Sequence, residues 1–132
     1  MSDRIFHIAD ASQWTHALAQ GSYAQSTRGR TLEQVGFIHA SSWEQLAPVA
    51  EFVYAGASET VRVLEIDVAM LAATGVQVRY EHGDPDDTSS PLYPHIYGPL
   101  PTSAVCRVLR AGFDADGAFV VDRDSSILDL AP

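Results

Sequence analysis

The sequence predicts an α+β fold. The two longer helical patterns lie in the first half of the chain, whereas short alternating strand patterns dominate the second half. The glycines agree with this division: Gly21, Gly36, Gly56 and Gly75 each follow a helical stretch and read as its stop. The patterns amount to about six short strands and two or three helices, with no repeats and no low-complexity segment.

Arg4 to Ala9 is a short apolar run with an aromatic residue and reads as the first strand. Asp10 or Ser12 caps a helix through Ala19, with Trp14, Ala17 and Leu18 on one face at helical spacing. Residues 21–30 are polar and read as loop, followed by one helical turn over Thr31 to Val35. Phe37 to Ala40 is a short strand. Ser42 then caps a second helix, with Gln45 at the capping-box position and Leu46, Val49, Ala50 and Val53 as its apolar set. Pro48 lies inside that pattern, which predicts irregular first turns or a later start, and Gly56 ends the helix.

Val61 to Asp67 alternates and reads as a strand, with Glu65 and Asp67 on its solvent face. A short helix over Val68 to Ala73 is closed by Gly75. Val76 to Glu81 is another strand, and His82 to Ser90 a loop rich in Gly, Pro, Asp and Ser. Pro91 to Pro101 contains four prolines and must be mostly extended. Ala104 to Leu109 and Gly117 to Val121 are the last strands. The length of 132 residues fits a single domain over 1–132, with 125–132 as a loosely held tail.

Composition narrows the function classes. The hydrophobic fraction of 46% is that of a globular chain. The net charge is −9, and all eight basic residues are arginines. Such acidity argues against a nucleic-acid surface and against anionic lipid. It leaves room for a small phosphorylated ligand held by one or two arginines. Without lysine there is no Schiff-base or P-loop lysine chemistry. One cysteine, Cys106, allows no internal disulfide and no multi-cysteine zinc site, and its alternating strand context makes it a buried structural thiol. With no signal-like segment and no run of transmembrane length, the expected location is the cytoplasm. Oligomeric state is left open.

Three histidines stand at comparable places: His7 within the first strand, His39 at a strand end just before a helix, and His95 where a polar loop meets an apolar stretch. A strand-end histidine beside a helix N-terminus suits an anionic ligand, since the helix offers free N–H groups and the imidazole a hydrogen bond or proton. Ser41 and Ser42 add hydroxyls there, although Ser42 reads first as a helix cap. His16 and His82 read as solvated, and Trp14 reads first as core. Arg79 and Glu81 share a strand face and either line a pocket or form an exposed ion pair. Three histidines from distant segments also leave a zinc site open, although no His-x-x-x-His pair is present. Gly-x-Ser-x-Gly, Gly-x-Gly-x-x-Gly and Walker motifs are absent.

Taken in order, Ile5-Phe6-His7-Ile8, Trp14, Gly21-Ser22-Tyr23, Gly36-Phe37-Ile38-His39-Ala40-Ser41 with Gln45, Leu64-Glu65-Ile66-Asp67, Tyr80-Glu81 and Pro94-His95-Ile96-Tyr97-Gly98-Pro99-Leu100 resemble the bacterial domain-of-unknown-function family 952. The likeness runs from about residue 4 to about residue 109. It implies an ADP-ribosyltransferase-like split β-sheet core with two or three flanking helices. It also implies a pocket that binds or acts on NAD, ADP-ribose or a nucleotide-phosphate derivative, as a transferase-like enzyme. Under the resemblance His7 is the first-strand residue that contacts the nucleotide ribose or amide. His39 and Ser41 contact phosphate or ribose hydroxyls, and His95 is the general acid/base. Tyr23 or Tyr97 stacks on a ring, and Trp14, Arg79 and Glu81 complete the ligand-binding set. No glutamate stands in the third motif, where that wider group often has a catalytic one; His95 stands there instead. The expected partner is a small nucleotide ligand, with NAD as substrate and no resident cofactor or assigned metal. The two competing expectations are a non-catalytic binding module and a metal-dependent hydrolase.

Overall fold

The computed structural model describes residues 3–126. In chain order the elements are β1 (Arg4–Asp10), α1 (Ala11–Gln20), β2 (Ser22–Tyr23), β3 (Gln25–Thr27), β4 (Arg30–Thr31), α2 (Leu32–Val35), β5 (Ile38–His39) and α3 (Trp43–Val53). There follow β6 (Val61–Asp67), α4 (Val68–Ala73), β7 (Gln77–His82), β8 (Leu92–Tyr97), β9 (Leu100–Pro101), β10 (Val105–Phe113) and β11 (Phe119–Ser126). The fold is α+β.

Two antiparallel sheets set the frame. The larger has the order β1-β6-β10-β11, the smaller β5-β8-β7. β1 and β6 are buried along most of their length: β1 shows it as a short apolar run, whereas β6 alternates and buries Glu65 and Asp67 as well. Ile5 and Ala9 of β1 face one core with Leu64, Ile66, Val105 and Val108. Phe6 and Ile8 face the other, packed with Leu46 and Ala50 of α3 and with Tyr54. The smaller sheet buries one face in the core and half-covers the other, on which His95 is buried. Ile38 and Ile96 point into the first core, while Phe37, His39, Tyr93, His95 and Tyr97 alternate onto the opposite face.

Among the described residues the two sheets meet at a single bridge. The Phe6 N–H donates to the Ser41 carbonyl at 2.8 Å, and the Ser41 N–H to the Phe6 carbonyl at 2.7 Å. β1 and the residues after β5 are therefore neighbours for one pair of bonds only, and a cleft opens where they part.

The α3 capping box forms as its sequence predicts, with Ser42 and Gln45 satisfying each other's backbone N–H groups. Gln45 also donates from Nε2 to the Leu92 carbonyl at 2.9 Å, tying the helix start to β8. Ser42→Ala should lower stability by about 1 kcal/mol, read as a shifted urea midpoint at unchanged slope. Pro48 neither delays nor breaks α3, which begins at Trp43 with Pro48 inside it. The helix ends at Val53, before Gly56, and Arg28 donates to the Val53 carbonyl at 3.0 Å.

Several expectations need correction. Residues 21–30 hold three two- or three-residue strands, too short to leave an alternating pattern. Glu65 and Asp67 are buried, not solvated. Arg4 donates to Glu65 at 2.8 Å and stands 3.6 Å from Asp67, and Arg107 approaches Glu65 from the neighbouring strand at 3.7 Å. Alternation shows that two residues share a face, not what covers it. Cys106 is half-buried, with its thiol donating to the Glu65 carbonyl at 3.2 Å and its pKa raised by burial. His82 ends β7 and is half-buried, one ring nitrogen bonded to the Ser90 carbonyl at 2.7 Å. The last hairpin is longer than predicted, and Ser125 and Ser126 belong to β11 rather than to a tail; 127–132 lie outside the described residues.

Candidate functional site

The cleft at the seam of the two sheets has a volume of about 430 Å³. One wall is the α3 flank: Pro48, Val49, Phe52 and Val53, continued by Tyr54. The other comes from the loop after β7 and the start of β8: Gly83, Asp84, Ser90, Pro91 and Tyr93. Phe6, His7, Ile8, Ser26, Thr27, His39, Ala40, Ser41 and His95 complete the lining. Apolar walls above a few convergent polar groups are the usual form of a small-molecule site.

The three histidines share this cleft but not one condition. His7 is buried and fully engaged. Its Nδ1 lies 2.5 Å from the His39 carbonyl, which can only accept, so Nδ1 carries the proton. Nε2 then accepts from the Tyr23 hydroxyl at 2.8 Å. Burial drives the His7 pKa down to about 4. With both nitrogens committed and the ring neutral near pH 7, His7 as folded is no acid, base or ligand contact; it ties β1 to β5. That arrangement leaves no ring nitrogen over for the ribose or amide contact expected of it.

His95 is different. It is buried, stacked on Phe37 with ring centroids 4.0 Å apart, and its Nδ1 lies 2.8 Å from Glu81 Oε1. The Tyr97 hydroxyl donates to the same Oε1 at 2.5 Å. These bonds, Tyr97 first and His95 second, hold the Glu81 carboxyl below its ordinary pKa. Nδ1–H is thus given to a carboxylate, and the other ring nitrogen, Nε2, has no protein partner among the described residues. Glu81 comes from the adjacent strand, where it pairs with Tyr93 and Arg79 pairs with His95.

His39 sits opposite His95 in the register, with ring centroids 5.4 Å apart. Its ring nitrogens bond to no other described residue, and its pKa is lowered by partial burial and then by His95. Ser41 is buried at the seam with its backbone paired and its hydroxyl free of any protein hydrogen bond among the described residues. His39 Nδ1 or Nε2, Ser41 Oγ and His95 Nε2 are the groups able to meet a ligand.

The remaining expected contacts lie behind the cleft. Trp14 is buried in the first core beside Tyr23, so it is core and not ligand cover. Tyr23 is equally buried and positions His7; it offers no face for stacking, and burial raises its pKa far above the ordinary value. Tyr97 lies under the Arg79 guanidinium, 4.5 Å from its ring centroid, and orients Glu81 instead of lining the cleft. Arg79 is further held by Gln77.

Phe37, Tyr93 and the α3 flank join the site beyond the residues expected from the sequence. Phe37 is two residues before His39 and Tyr93 two before His95, so period-two spacing was the available signal. Phe52 stands out as a large apolar side chain 87% exposed on the cleft wall.

Fold and site together define an α+β protein with a histidine-floored cleft where two antiparallel sheets meet. The chain belongs to the family described as Protein of unknown function (DUF952), whose model matches residues 8–108. It is similar to protein CC0527 from Caulobacter crescentus. The crystal structure of that protein is 27% identical, with a TM-score of 0.72, 89% of this chain covered and 94% of the other. Its solution NMR structure is 28% identical, with a TM-score of 0.67 and coverages of 87% and 90%. No curated protein matches the chain. Among the described residues no helix is long and apolar enough to cross a membrane.

Proposed function

We propose that the cleft binds, and acts by acid–base chemistry on, a small ligand that joins a flat ring to a hydroxylated sugar, as NAD, ADP-ribose and nucleotide phosphates do. The observation that carries the reading is the Glu81–His95 pair. Its carboxylate is held by Tyr97, and its Nε2 is available at a cleft of ligand size. In this role His95 accepts a proton from a sugar hydroxyl or an incoming water. His39 and Ser41 hold neighbouring hydroxyls, and Tyr93 with the α3 flank covers the ring. An ADP-ribosyltransferase-like fold is part of the same proposal, supported by two antiparallel sheets that part at the cleft.

A binding module without turnover is the second reading. It is favoured by His7, whose nitrogens are both consumed inside the protein. The metal-hydrolase reading loses its third ligand for the same reason, and among the described residues no group of three His, Cys, Asp or Glu is arranged to hold a metal ion.

Incubation with NAD and with ADP-ribose separates the first two. Thermal stabilisation by either ligand, together with nicotinamide release from NAD, supports the enzyme; stabilisation alone supports the module. Neither effect with either ligand overturns the proposal.

A further inference from the structure

The cleft's charge is as informative as its shape. Of the eight arginines none lines it. Arg28, which lies over the Tyr54 ring, has its charge matched by Glu59, with two bonds of 2.8 and 3.1 Å. Among the described residues the one carboxylate in the lining is Asp84, on the same wall as Tyr93, and the Phe52 ring stands exposed on the α3 wall. In the floor, burial lowers the pKa of His7 and of His39, and His95 stands 2.8 Å from the Glu81 carboxylate, so no arginine-like cation without a counter-charge lies there.

A site for phosphate would present the opposite set: guanidinium groups or several free backbone N–H groups. Aromatic faces beside a carboxylate are what an organic cation requires, since the ring quadrupole and the carboxylate attract the same charge.

We infer that the cleft receives a ring-sized organic cation, with Phe52 and Tyr93 as its aromatic walls and Asp84 as its counter-charge, and that any phosphate of the ligand stays outside. This rests on the reading of the cleft as the ligand site and narrows the part of the ligand that enters. In a ribosylated ring the positive nitrogen sits between Asp84 and the aromatic walls, with the sugar over the histidine floor.

The test uses a pair of probes that differ by one charge on the ring: nicotinamide riboside and its uncharged dihydro form. Titration calorimetry with the full chain should show the cation binding about ten-fold more tightly. Asp84→Asn, which keeps an oxygen to accept the Asp86 N–H, should erase most of that preference while leaving the dihydro form unchanged. Phe52→Ala, at an exposed position that does not endanger folding, should weaken the cation more than the dihydro form. Equal binding of the two forms overturns the inference, as does displacement of the riboside by inorganic pyrophosphate. If NAD and ADP-ribose bind but charge makes no difference, only this inference fails; if NAD, ADP-ribose and both ribosides fail to bind, the reading of the site fails with it.

Discussion

Between pH 7 and pH 4 the protein should lose about 3 kcal/mol of folding stability through His7 alone. The folded pKa is about 4 against 6.5 for a free imidazole, because burial penalises the charged ring more than its bond to the His39 carbonyl favours it. A depressed pKa means that the unfolded chain binds the extra proton first. The stabilising contribution is therefore complete above pH 6.5 and is lost as the pH falls towards 4. Carboxylates with lowered pKa values add their own losses, so the wild-type slope is not diagnostic by itself. The comparison is with His7→Phe, which fills similar space but cannot titrate. That variant leaves the Tyr23 hydroxyl and the His39 carbonyl without their partner and should be less stable at pH 7 by about 2–4 kcal/mol. At pH 4 the gap to wild type should nearly close. Urea midpoints across this range measure both effects. Parallel curves for the two proteins would show that His7 is not the neutral buried group.

His95→Ala should reduce turnover of any NAD derivative the protein processes by about 10²–10⁴-fold, the usual contribution of a positioned acid or base. Glu81→Gln should cost less, because the amide oxygen still accepts from Tyr97 and His95 while the charge is lost. The expected pattern is a fall in kcat with little change in ligand Kd, since neither substitution removes an aromatic wall. Single-turnover rates and calorimetry on the same preparations distinguish this from a collapsed site. Unchanged turnover in His95→Ala would remove His95 from the chemistry. A matching loss of affinity would make it a contact rather than a base.

Much of the frame is legible in the sequence because local physics sets it. β1 declares itself by an apolar run, β6 by alternation, α1 by its Asp10 cap and Gly21 stop, and α3 by the Ser42–Gln45 box. What is not legible depends on partners far along the chain. Glu65 and Asp67 read as solvent-facing because Arg4 and Arg107, which cover them, belong to other strands. The site divides in the same way. His7, His39 and His95 are visible as residues, and all three line the cleft. Their different conditions are not visible. The Glu81–His95 contact depends on the β7–β8 register, set across a loop whose length alone does not fix it. The withdrawal of His7 depends on Tyr23, which reads as a loop residue until β2 pairs with β9 and its ring is buried.

The bridge between Phe6 and Ser41 has a thermodynamic consequence. Among the described residues two backbone bonds and the His7 bond to the His39 carbonyl join the sheets there, and the cleft lining includes residues on both sides. A ligand lying across the seam touches both sheets at once and acts as a removable cross-link. Occupancy and integrity of the joint are therefore linked functions: whatever free energy parts the strands is subtracted from binding, and whatever the ligand contributes is added to the seam.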